Sequence, residues 1–334
     1  MLKRTVLGAA STAVIAKLAD HSVFAASPEK LTEDTRPPAV LKIEQYLTNF
    51  LKNDPRNKLV DFEDATIWEA PLFAYASADD PLFETLKKDG IVGPAHLSPK
   101  QWLPGAKTVI SYFFPFSEKV RTSNYPEGLP SFGWVAARVK GEIYKNQAGT
   151  ELLPLITSLG GKGLVPINDP RFATDRGTPE RKWTIPTWSE RHVAYIAGLG
   201  TFGLNKSLIT RKGAAGRFGS VVTTLELPVT QRPYSEPYSY CPHLVNGGCG
   251  ACIPRCPVKA VFDKPKEEMI NTKDDLICGQ FYGNLLKTTP QTYHGYRAGC
   301  GKCVTAVPCE FGIPAPDTKR VAWVKDRVVQ HFVA

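Results

Sequence analysis

All eight cysteines of this 334-residue chain fall between Cys241 and Cys309, and the first 240 residues contain none. A chain of this length buries enough apolar surface to fold without cross-links, so sulfur crowded into one short stretch reads as a ligand set. An even count also permits four disulfides, and paired C-x2-C spacings also suit structural zinc. The detailed spacing points to a third use.

Cys249-Gly-Ala-Cys252-Ile-Pro-Arg-Cys256-Pro257 spells C-x2-C-x3-C-P, most of the bacterial ferredoxin run whose last cysteine ligates a second iron-sulfur cluster. Two thiolates three residues apart can point from one tight loop at a shared cluster, and Gly247, Gly248 and Gly250 let the backbone wrap it closely. Cys256 then aims elsewhere, and Pro257 followed by Val258-Lys-Ala-Val261 predicts a short helix starting there. The remaining cysteines complete two sets of four. Cys241, Cys249, Cys252 and Cys309 are expected to hold one [4Fe-4S] cluster, and Cys256, Cys278, Cys300 and Cys303 the other. Cys241 and Cys309 stand at spacings unusual for such a run, which leaves His243 as an alternative ligand.

The totals are those of an ordinary globular chain, 43% hydrophobic and 22% charged. The formal net charge is +9, but no block of Lys and Arg of the kind that grips DNA accompanies it. Met1-Leu-Lys3-Arg4, an uncharged run from Thr5 to Ala16, and the small residues of Val23-Phe-Ala25-Ala26-Ser27 follow the basic, apolar, small order of an export signal. Residues 1–27 are therefore expected to be a twin-arginine-like signal that places the protein at the periplasmic face of a membrane; a cytoplasmic amphipathic helix is the alternative.

Residues 28–38 have linker composition. Beyond them Val40, Ile43, Leu47, Phe50 and Leu51 recur at helical spacing, and Asp80-Pro81 with Gly90 brackets a second helix. Thr108 to Phe114, Gly163 to Ile167 and Gly219 to Leu227 read as strands, and Leu152 to Leu159 as a helix. Residues 39–235 thus form an α/β or α+β body, 236–315 a cysteine-bearing domain, and 316–334 a basic C-terminal helix.

From His192 to Leu225 there is no Asp or Glu, while Lys206, Arg211, Lys212 and Arg217 lie among many glycines. Gly198-Leu-Gly200-Thr-Phe-Gly203 satisfies G-x-G-x-x-G, yet these glycines close a helix that starts at Ser189, which argues against a dinucleotide site. The stretch suits either a turn with a solvated basic face or a segment lying along a large ligand rich in phosphate and amide groups.

Ala197-Gly-Leu-Gly200-x-x-Gly203, the Gly216-Arg-Phe-Gly-Ser220 strand start and the cysteine insert together resemble the epoxyqueuosine reductase and cobalamin-dependent reductive dehalogenase superfamily. Leu82-Phe-Glu-Thr-Leu-Lys-Lys88 and Trp102-Leu-Pro-Gly-Ala-Lys-Thr-Val-Ile-Ser-Tyr112 are similar to its N-terminal half, and the resemblance spans most of residues 40–315. It implies an α+β fold with a nitroreductase-like cobalamin-binding α/β core and a C-terminal bacterial ferredoxin-like two-cluster domain. The implied cofactors are two [4Fe-4S] clusters and a corrinoid, fed by an external low-potential electron donor or a membrane-anchored partner. Gly200, Gly203, Lys206, Ser207, Arg217, Gly219 and Ser220 are the cofactor contacts so implied.

In epoxyqueuosine reductases the proton donor is an aspartate ahead of the Ala-Gly-Leu-Gly helix. Thr184 stands at the matching place here, with Asp175 and Glu190 the nearby carboxylates. Dehalogenases use a tyrosine beside a basic residue, so the expectation turns to Tyr195 with Arg191 and His192. The main reading is a dehalogenase-type reductase acting on a small organic substrate, with tRNA disfavoured as a partner. An epoxyqueuosine reductase-like cytoplasmic enzyme, a non-catalytic iron-sulfur electron carrier and a flavin enzyme on the same core are the alternatives.

Overall fold

The computed structural model describes residues 35–288, 291–296 and 299–320. The export signal at 1–27, most of the linker and most of the C-terminal helix expected from the sequence lie outside the described residues. From Pro37 onward the chain packs as one compact unit.

Helix α1 (Pro38–Asn53) forms where the apolar spacing places it, and buries Val40, Ile43, Leu47 and Leu51. The centre of the body is a four-stranded antiparallel sheet of β1 (Leu72–Ser77), β2 (Thr108–Pro115), β3 (Gly163–Leu164) and a late strand, Gly216–Thr223. Between β3 and that strand a small hairpin pairs β4 (Gly200–Phe202) with β5 (Leu208–Thr210), so the late strand is β6, and the sheet order is β1-β2-β6-β3. Mixed helix and sheet were expected, and the antiparallel pairing makes the class α+β.

Every residue of β2 is buried, because both faces of the sheet are covered. Ile110, Tyr112 and Phe114 point into a core under helix α2 (Phe132–Ser158), while Val109 and Phe113 point into a second core under helix α3 (Glu190–Ala197). The period of two along one strand thus feeds two separate cores. Strand β6 pairs with β2 along its whole length, from Gly216↔Pro115 to Thr223↔Thr108, but with β3 only at Val222 and Thr223. Among the described residues its edge from Gly216 to Val221 has no strand beside it.

Several elements differ from expectation. Helix α2 runs for 27 residues rather than covering only Leu152 to Leu159. It is buried on several sides, so no single apolar stripe marks it, and its glycines depress local helix preference in exchange for close packing. A Cβ at Gly141 would fall 2.5 Å from the Trp68 ring, and one at Gly149 2.8 Å from the Tyr112 hydroxyl. The expected strand at Gly163 to Ile167 stops at Leu164 because Pro166 opens a 3-10 turn. The helix after Asp80 is confined to Leu82–Thr85. No helix follows Pro257: the helix is Cys252–Arg255, and Cys256 at its end is extended (φ −78, ψ 113) while Lys259 is left-handed (φ 52).

The cysteine-bearing segment is sewn onto the body. Ala214 N–H donates to the Cys309 carbonyl (2.8 Å) and Ala215 N–H to that of Glu310 (3.1 Å). The Asn124 side-chain amide donates to the Cys300 carbonyl (3.0 Å), and that of Asn205 to the Cys303 carbonyl (2.5 Å). Gly301, left-handed at φ 64, lies flat under Trp134, where a Cβ would come within 2.1 Å of the indole.

Close packing at the long helix is testable. Gly141→Leu is expected to overpack the Trp68 contact and cost about 1–3 kcal/mol, read as a lower denaturant midpoint at unchanged m-value.

Candidate active site

The eight thiols are free of disulfides and sort into two groups. Cys252 lies within electrostatic reach of Cys309, Cys241 and Cys249, and Cys309 of Cys241 and Cys249. Cys278 has Cys256 as its thiol neighbour, while Cys300 and Cys303 both have Cys278 and Cys256. Cys303 is also in range of Cys252 and Cys309, so the two quartets adjoin. The first quartet lines a single small cavity together with His243. The Cys249 loop bends through left-handed backbone at Gly247, Cys249 and Gly250 (φ 75, 54 and 76) to put its sulfur there.

Burial raises these thiols, Cys303 to about 12, so they ionise only against a bound cation. Among the described residues no three of His, Cys, Asp or Glu converge tightly enough for one metal ion. Tetrahedral zinc with Zn–S of about 2.3 Å needs its sulfurs within about 4 Å of one another; these quartets suit a wider group. Ala260 N–H donates to the Cys256 sulfur (3.1 Å), the kind of contact that tunes cluster potential.

Beside the second quartet lies a cavity of about 410 Å³ whose lining includes Trp183, Thr184, Arg191, His192, Tyr195, Phe202 and Lys206. The three residues expected to be catalytic therefore meet in one place. His192 Nδ1 is engaged by the Ser189 hydroxyl (2.7 Å), and burial, with Arg191 adjacent, pushes His192 down to about 3. Burial pushes the Tyr195 phenol up. Lys206 donates to the carbonyls of Ile270 (2.9 Å) and Lys273 (3.0 Å), which fixes the cavity wall.

The residues expected at the cofactor divide differently. Gly200 and Gly203 pack against Ile209, and Gly219 against the Tyr112 ring. The Ser207 amide closes the β4–β5 turn on Asn205 (3.0 Å). Arg217 and Ser220 instead belong to a polar cluster at the unpaired edge of β6, which sequence spacing did not reveal because its members come from four elements. Glu142 accepts from Arg138 (2.7 Å), Arg217 (2.8 Å) and Lys145 (2.9 Å). Burial opposes ionisation of Glu142, but these three cations hold its carboxyl well below the usual range. Glu190 accepts from Ser220 (2.8 Å), whose hydroxyl accepts from the Trp188 indole (2.9 Å); its other oxygen, Oε1, is buried without a partner. Burial lifts Glu190 to about 7 against the pull of Lys145 and Ser220.

No family model matches the chain. A curated epoxyqueuosine reductase from Synechocystis is 26% identical over 223 residues, 65% of this chain and 68% of that protein. Similar solved structures include an epoxyqueuosine reductase from Streptococcus thermophilus (TM-score 0.43, 16% identity, 83% of this chain and 69% of that one). Another holds an epoxyqueuosine-modified tRNA stem loop (TM-score 0.44, 16% identity, 83% and 67%), and a third is a catabolic reductive dehalogenase (TM-score 0.43, 13% identity, 73% and 30%). These structural overlaps are loose and place no residue. The superfamily resemblance read from the sequence stands, and with it an oxidoreductase. The curated relative bears the name that the sequence reading ranked second, and the bound stem loop runs against its dismissal of tRNA.

Two measurements follow from this geometry. Cys309→Ala and Cys278→Ala should each lose about half of the iron and labile sulfide, from different clusters; loss of all or none in both would sink the quartet assignment. The raised Glu190 carboxyl contributes stability that is fully present below about pH 4.5 and lost as pH rises through about 7. Glu190→Gln should therefore match wild type at pH 5 and exceed it at pH 8.5 by up to about 3 kcal/mol in denaturant unfolding.

Proposed function

We propose that this relative of the epoxyqueuosine reductase and reductive dehalogenase superfamily is an iron-sulfur reductase of the epoxyqueuosine reductase type. The observation that carries it is the placement of two adjoining thiol quartets beside a cavity walled by Arg191, His192, Tyr195 and Lys206. Cys241, Cys249, Cys252 and Cys309 would hold one [4Fe-4S] cluster, and Cys256, Cys278, Cys300 and Cys303 the one nearer the cavity, in a ferredoxin-like arrangement. Eight buried thiols without disulfides suit such groups and little else.

A corrinoid fits the chemistry of the β6 edge. The unpaired backbone from Gly216 to Val221, the orphaned Glu190 Oε1, and the cations Arg138, Lys145 and Arg217 would answer its amides and phosphate. When bound it would supply a strongly reducing cobalt. The chain's own part is to position substrate, exclude water and hold a proton. The curated relative's name directs the substrate reading to an epoxide-bearing nucleoside in tRNA.

A second reading, a dehalogenase-type enzyme on a small organic substrate, is favoured by one observation. Thr184, not a carboxylate, faces the cavity, among Trp183, Tyr195 and Phe202. Cellular address separates the two, since tRNA is cytoplasmic and an export signal cleaved after residues 1–27 would carry the protein away from it.

Protein purified without oxygen is expected to contain about eight iron and about one cobalt per chain and to reduce an epoxyqueuosine-modified stem loop when given a low-potential reductant. Turnover of an organohalide instead, with a processed N-terminus, would select the second reading. Iron without cobalt and without turnover would reject both in favour of an electron carrier.

A further inference from the structure

Reductive removal of an epoxide oxygen takes up protons as well as electrons. Two C–O bonds break, a C=C bond forms, and the oxygen leaves as water after uptake of two electrons and two protons. The electrons come from the external donor through the clusters. A nearby side chain must deliver at least one proton to the departing oxygen, and the aspartate that the resemblance leads one to expect is replaced by Thr184.

The candidates in the cavity wall are poor donors. His192 is neutral, with Nδ1 engaged by Ser189. The Tyr195 phenol is pushed further from neutrality by burial, and a guanidinium such as Arg191 does not release its proton. We propose that Glu190 is the proton donor of this reaction. It adjoins Arg191 in sequence at the head of α3, and its carboxyl sits by the unpaired edge of β6, anchored through Oε2 to Ser220 with Oε1 left unpartnered. A carboxyl so placed carries its proton on the free oxygen, where it can be donated.

The groups that face it set its charge. Lys145 and Glu142 come from α2, Arg217 and Ser220 from β6, and Tyr112 from β2. Lys145 and Arg217 are both committed to Glu142, whose negative charge offsets them. Desolvation is thus left as the stronger influence on Glu190, and favours the protonated form at neutral pH. After donation, water entering the cavity restores the proton.

This inference rests on the reductase reading above, and its test separates the two. Infrared spectra of cluster-loaded protein should show the carbonyl stretch of a protonated carboxyl at pH 6 that fades by pH 8.5 and is absent in Glu190→Gln. Turnover of the epoxyqueuosine-modified stem loop should fall about a hundredfold or more in Glu190→Gln at full cluster content. Glu190→Asp should retain part of the activity with a displaced pH profile. Absence of the band in wild type, or wild-type turnover in Glu190→Gln, overturns the inference while leaving the reductase reading intact. A wild type that reduces neither the stem loop nor an organohalide overturns the reading itself, and the donor role with it.

Discussion

Holding eight thiols out of water is the constraint on which this structure depends. A buried thiol resists ionisation, and a cluster requires thiolates, so the protein has to offer the sulfurs in groups where bound iron compensates for lost solvation. The surrounding chain answers with rigidity. Left-handed backbone at Gly247, Cys249, Gly250 and Gly301 turns the sulfur-bearing loops inward, and side-chain amides of Asn124 and Asn205 hold the carbonyls of Cys300 and Cys303. Lys302, buried with its ammonium on the carbonyls of Asn124 and Pro126, pins the same loop from the other side.

The second organising feature is an edge left open. Strand β6 is fully paired on one side and mostly unpaired on the other, and exposed strand edges are ordinarily covered. Here the edge meets a polar cluster of Arg138, Glu142, Lys145, Glu190 and Arg217 rather than another strand. Such a cluster is costly in a core unless its charges are matched, and the three cations around Glu142 meet that need while Glu190 meets it by staying neutral. The arrangement gives up some stability for a place where a ligand's polar groups find partners.

What the sequence disclosed follows from how local each signal is. The cysteine run, the apolar period of α1 and the all-apolar stretch of β2 are contiguous, and they survive into the structure. The closing of α3 by Gly198 (φ 102) was equally visible, and the hairpin that follows explains why G-x-G-x-x-G there binds no dinucleotide. Strand β1 and the full span of α2 were missed: β1 is short and half small residues, and α2 is stabilised by Trp68 and Tyr112 lying against its glycines, a tertiary effect with no local signature. The Glu142 and Glu190 cluster was invisible for the same reason. Four elements separated by up to about a hundred residues supply it, and only folding brings them together.

The seam between Ala214-Ala215 and Cys309-Glu310 fixes the order of assembly. Cys309 is the eighth cysteine in order, so the quartet it completes lacks a ligand until residue 309 has left the ribosome and docked beside β5. Iron delivered earlier would find three sulfurs and an open coordination place, vulnerable to water and oxygen. Loading of that group thus serves as a checkpoint on translation, passed only by chains whose distal end has been made and has closed onto the body.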